Sequence, residues 1–145
     1  MNRMKIAVAA LSVLIISALN AEAQTSPRVA VERCVNHVDS VVERAQNVIS
    51  EDTIECVQTI RRLLACGRVD LAHQVARECL AEGREVIRRA RAEVVETCDR
   101  CIDYLLSIGA NRLARRVAAY CDDAVATLKQ LGERQEQAIS DAFNG

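Results

Sequence analysis

Shifted along itself by a fixed interval, the sequence meets its own pattern: Cys56 falls on Cys98, Ile60 on Ile102, Leu63 and Leu64 on Leu105 and Leu106, and Gly67 on Gly109. The match continues without a gap through Leu71 and Ala72 on Leu113 and Ala114, Val75 and Ala76 on Val117 and Ala118, and Cys79 on Cys121. A repeat of this kind marks one supersecondary unit used twice. Within each copy the apolar residues recur at steps of three and four, the period of a helix, and no run alternates in the manner of a strand. The central glycine suits the left-handed residue that ends a helix. Each unit therefore reads as a helix, a glycine turn and a second helix running back.

Such a hairpin gives the cysteines a geometry. In an antiparallel helical pair, residues equally far from the turn lie level, because the rise along one helix is undone along the next. The midpoint of Cys56 and Cys79 falls half a residue past Gly67, and that of Cys98 and Cys121 falls half a residue past Gly109. Both pairs are expected within the short reach of a disulfide. Each would close a loop of about two dozen residues, worth ~3 kcal/mol in the chain-entropy account. Cys34 and Cys66 are centred on Ser50, so a turn there is expected to bring them together as a third bridge.

The seventh cysteine, Cys101, forms a Cys-x-x-Cys with Cys98. A redox pair of the thioredoxin kind needs that motif at a helix start beside a strand. A haem attachment needs a histidine after the second cysteine, where Ile102 stands, and a metal site needs more ligands than His37 and His73 supply by their spacing. No catalytic residue, metal ligand or cofactor is assigned on these grounds. Cys101 is expected as an unpaired thiol, buried or bridging two copies of the chain.

Outside the repeat, Pro27 suits the first position of a helix. From there Cys34, Val38, Val41, Ala45 and Val48 form one apolar stripe. Ser50, Glu51, Asp52 and Thr53 interrupt it, and Asp52 followed three residues later by Glu55 reads as a capping box opening a second helix over Ile54, Val57, Ile60, Leu63 and Leu64. A further helix opens near Val69, with a break expected around residues 92–96 and Thr97 as its cap, although only Gly83 interrupts the pattern from there to Ile108. A last helix opens at Asn111 with a heptad-like seam of Ala114, Val117, Cys121, Ala124, Leu128 and Leu131. The expected fold is all-α: a long N-terminal helix plus two tandem antiparallel helical hairpins, stapled by disulfides. The segment from Gly67 to Cys79, with Gly67 and Ala72 matched by Gly109 and Ala114, resembles the inter-helix turn of tetratricopeptide repeats. That resemblance covers about a dozen residues per unit and implies stacked helical hairpins, while the period of 42 and the missing aromatic and proline positions depart from the family pattern.

The compartment is read from the start of the chain. Arg3 and Lys5 precede an apolar run from Ile6 to Leu19, and Ala21 and Ala23 place small residues where a signal peptidase cuts before Gln24. Residues 1–23 are thus expected as a signal peptide and 24–145 as a single helical-repeat domain, secreted or periplasmic in a bacterium, where disulfides persist. Seventeen arginines against two lysines fit such a source.

Without the leader, 17 of the 19 basic residues face 19 of the 20 acidic ones, which argues against a nucleic-acid partner. Nor does the mature chain carry a basic face with bulky apolar anchors for a membrane. Arg84, Arg88, Arg89 and Arg91 form the densest basic cluster, interleaved with Glu82, Glu85, Glu93 and Glu96 as pairs along a helix. Aromatic residues make up only 2% of the chain, and ligand pockets draw on aromatic walls. The expectation is a non-enzymatic exported module with a structural role or a protein partner, binding in a groove between hairpins. The alternative is a cysteine-based metal-binding or redox protein of the cell envelope.

Overall fold

Ser26 caps the first helix: its hydroxyl accepts the amide N–H of Val29 at 3.3 Å and Pro27 occupies the first helical position, so the first turn is capped from the sequence itself. The structure is a computed structural model and describes residues 26–145; the leader expected over residues 1–23 lies outside them. Three helices follow in order, α1 (Pro27–Ala65), α2 (Val69–Ser107) and α3 (Asn111–Asn144). No strand occurs among the described residues. Each helix packs against the other two, giving an up-down-up bundle.

The two turns are copies of each other. Gly67 has φ 70° and Gly109 has φ 77°, the left-handed region where only glycine is free of a Cβ penalty. At the first turn Gly67 N–H donates to the Leu64 carbonyl at 3.0 Å and Arg68 N–H to that of Leu63 at 2.8 Å. At the second, Gly109 N–H donates to Leu106 at 3.1 Å and Ala110 N–H to Leu105 at 2.8 Å. This is the Schellman pattern, which satisfies the carbonyls that a helix end leaves open.

Apart from those turns the helices run unbroken, which departs from the breaks expected at residues 50–53 and 92–96. No glycine or proline stands at either place, and Thr53 turns its hydroxyl inward to donate to the Ile49 carbonyl at 2.5 Å, within the helix. Val94 is fully buried, so a break there would remove a core position. The two hairpins therefore share α2, and the 39-residue helices are about 58 Å long at 1.5 Å per residue.

A third expectation falls with the break. Cys34 and Cys66 do not pair: both stand on one continuous helix, whose rise sets them about 48 Å apart.

Continuity also moves the buried stripe. Ile49 is buried while Val48 is 42% exposed, and Ile54, expected on the apolar face, is 59% exposed. The stripe on α1 runs Cys34, Ala45, Cys56 and Val38, Ile49, Ile60 at a constant interval, and that on α2 runs Ala72, Gly83, Val94, Leu105 likewise. The interval is the 11-residue repeat, three turns at about 3.67 residues per turn, which keeps one face inward along a long helix.

The core has two ends. Around the Gly109 turn, Cys34, Val38 and their α1 neighbours pack with Val94, Cys98, Leu105, Ala114 and Val117. Around the Gly67 turn, Ile60, Ala72 and Ala76 pack with Ile139 and Ala142, and His73 stacks on Phe143 at 4.6 Å. Among the described residues no helix is long and apolar enough to cross a membrane.

Candidate functional site

Two disulfides tie the bundle, one near each turn. Cys56 on α1 is bonded to Cys79 on α2 with their Cα atoms 6.5 Å apart, and Cys98 on α2 is bonded to Cys121 on α3 at 6.3 Å. Their surroundings differ. Thr59 takes the place of Cys101 in the earlier copy of the repeat, and no other cysteine lies among the core residues around the first bridge. The second bridge lies among further sulfur. The thiol of Cys34, contributed by α1, joins it so that the sulfurs of Cys34, Cys98 and Cys121 all lie within 4.8 Å of one another. Cys101, one helical turn beyond Cys98, lies in the same core cluster as Cys34 and points its sulfur at the Ala30 carbonyl, 4.0 Å away.

All four are buried, between 3% and 8% exposed. Three helices thus place four sulfurs in one apolar pocket, and the helical spacing of Cys98 and Cys101 explains why both face it.

Burial sets the chemistry. The Cys34 thiol is pushed up to about 12 from an ordinary value of 9.0, first by burial and then by the hydrogen bond and charge of Cys101. The thiolate is the nucleophile and the metal ligand, so in the closed bundle this thiol is unreactive.

With Cys98 and Cys121 bonded, only Cys34 and Cys101 retain ligand capacity. Reduced, Cys34, Cys98 and Cys121 would offer three thiolates within 4.8 Å of one another, one fewer than the four of a closed tetrahedral thiolate site. The histidines do not join them: His37 pairs with Glu93 at 3.0 Å on the bundle surface, and His73 sits at the opposite end. Cys66, the C-cap of α1, is an exposed free thiol.

The sequence carried a signal for the proximity of Cys34 to Cys101. Their midpoint, like that of Cys56 and Cys79, falls half a residue past Gly67, so one turn levels both pairs. The signal was hidden by the expectation of a turn at Ser50.

The arginine cluster is largely answered by its neighbours. Glu85 accepts from both Arg88 and Arg89 at 2.7 Å, and Arg84 reaches Glu136 on α3 at 3.3 Å. Arg44 of α1 joins His37 on Glu93 at 3.2 Å, and Arg100 pairs with Glu96. The hydrogen bonds from Arg88 and then Arg89 hold the Glu85 carboxyl down to about 2. On α3 the Tyr120 hydroxyl donates to Asp39 of α1.

Comparison of the chain with protein-family models, with curated proteins and with solved structures finds no match to any of them.

Proposed function

We propose that the protein is an exported, non-enzymatic helical module that serves a structural or protein-binding role outside the cytoplasm. The observation that carries this reading is the pair of disulfides, one beside each glycine turn, which tie α1 to α2 and α2 to α3. Structural bridges of this kind persist in oxidising compartments. A compensated surface supports the same reading, since the densest basic run has carboxylates bound along it. Of the free thiols, Cys34 and Cys101 are buried and only Cys66 is exposed, without a second thiol beside it in the sequence, which suits a scaffold better than a dithiol catalyst.

The four-sulfur pocket favours the second reading, a cysteine-based metal-binding or redox protein, and one experiment separates the two. The protein purified without reductant is analysed for zinc and copper and assayed for dithiol-driven reduction of insulin. The scaffold reading expects substoichiometric metal and no turnover above background. Stoichiometric metal or catalysed reduction overturns it in favour of the second.

A further inference from the structure

We propose that Cys34 and Cys101 close a third disulfide, a buried bridge that fastens the amino-terminal half of α1 to α2. Register is the first ground. The interval from Cys34 to Cys56 on α1 equals that from Cys79 to Cys101 on α2. Both intervals are two of the 11-residue steps along which the buried stripe repeats, so each cysteine returns to the face of its bonded counterpart. Moving equal distances away from the Gly67 turn along antiparallel helices also keeps the two level. Cys34 and Cys101 thus repeat the placement of the bonded pair, Cys56 and Cys79.

Proximity is the second ground. The two thiols are buried in the same core cluster, and Cys101 is near enough to raise the pKa of Cys34. Cys34 also lies near Cys98 and Cys121, but bonding to either would open the bridge that the repeat duplicates from Cys56 and Cys79. Pairing with Cys101 leaves both existing bridges intact and accounts for six of the seven cysteines. The remaining one, Cys66, is the exposed one.

The oxidation takes two electrons from the thiol pair and gives them to a disulfide donor, such as oxidised glutathione or an oxidised dithiol protein. One thiolate attacks a donor sulfur and releases the first donor thiol. The second thiolate then attacks the mixed disulfide, forms the Cys34–Cys101 bond and releases the other donor thiol, with the two protons passing to solvent and the leaving thiolates. In the closed bundle both thiols are buried and shielded from a donor, so the bridge forms before the amino-terminal half of α1 docks.

The bridge depends on the proposed oxidising compartment only for its occurrence in the cell, and the test separates the two. The full chain is refolded from the reduced, denatured state in a glutathione redox buffer. Remaining thiols are then alkylated in guanidinium and counted by mass, and disulfide-linked peptides are sequenced. The expected result is one alkylated cysteine, Cys66, with a peptide carrying Cys34 linked to one carrying Cys101. In the variant Cys34→Ala the count is two either way, so the reading is the direction of its change from the unsubstituted chain, which does not depend on stability. If the bridge exists, the count rises from one to two as Cys101 is freed. If it does not, the count falls from three to two. Three alkylated cysteines after refolding, or Cys34 linked to any other cysteine, overturns the proposal. A bridge that forms on refolding but is missing from the protein isolated from its host supports the proposal and overturns the compartment reading alone.

Discussion

Gly83 on α2 lies directly against Gln135 on α3: a Cβ at position 83 would collide with the Gln135 side-chain amide. The absence of a side chain at Gly83 gives the glutamine its place in the core, where it is 3% exposed and is the one buried polar residue among those described. Its amide nitrogen has no hydrogen-bond partner among the described residues. A buried donor without a partner costs about 1–3 kcal/mol. Gln135→Leu, similar in volume and without the amide, is therefore expected to stabilise the protein by about 1 kcal/mol in guanidinium denaturation. A loss of stability would show that the amide is satisfied in solution.

The glycine turns isolate a backbone effect. At both Gly67 and Gly109 nothing lies within 4 Å of an added Cβ, so the cost of a side chain comes from positive φ and not from crowding. Gly67→Ala and Gly109→Ala should each destabilise by about 1–2 kcal/mol. The turns sit at opposite ends of the bundle, so the double variant should show the sum of the two. Thermal or chemical denaturation of the three variants checks this. Unequal costs would mean that the turns are not equivalent.

These turns were also the most legible part of the sequence, because a left-handed helix end asks for glycine and a fixed count from it levels the cysteines. The all-helical class, the two hairpin turns and the seam from Ala114 to Leu131 followed from the same periodicity. Helix continuity was harder to read. Ser50, Asp52 and Glu55 have capping chemistry, but that chemistry works only where the chain leaves the helix, and here the buried stripe carries on through Ile49 to Cys56. That one misplaced turn sent Cys34 toward Cys66 and hid the four-sulfur pocket. The Gly83–Gln135 contact depends on which faces of α2 and α3 meet, which is a tertiary fact with no local signature.

Each bridge should contribute a similar amount to stability. Both span a sequence separation of 23, which corresponds to ~3 kcal/mol in the chain-entropy account. Cys56→Ala with Cys79→Ala, and separately Cys98→Ala with Cys121→Ala, should each lower the unfolding free energy by about that amount. The second pair also removes sulfur from beside Cys34. An excess loss there would measure the packing of the four-sulfur pocket.

Glu85 provides an acid-side test. Its carboxyl is held at about 2 by Arg88 and then Arg89, below the ordinary 4.5, so in the folded protein it stays charged where the unfolded chain would take up a proton. The stabilising contribution is thus present above about pH 4.5 and is lost as pH falls toward 2. Titration followed by NMR should place the Glu85 carboxyl well below the ordinary 4.5, and Glu85→Gln should flatten the stability profile in that window. A midpoint near 4.5 would mean that the two arginines do not hold the carboxylate in solution.

One register measures every staple of this bundle from a glycine turn. Its most direct test is a disulfide map of the protein purified without reductant, digested at low pH and read by mass spectrometry. The register predicts peptides joining Cys56 to Cys79 and Cys98 to Cys121. Peptides joining Cys34 to Cys66, or Cys79 to Cys98, would contradict it, because the first requires α1 to fold back near Ser50 and the second requires α2 to fold back on itself.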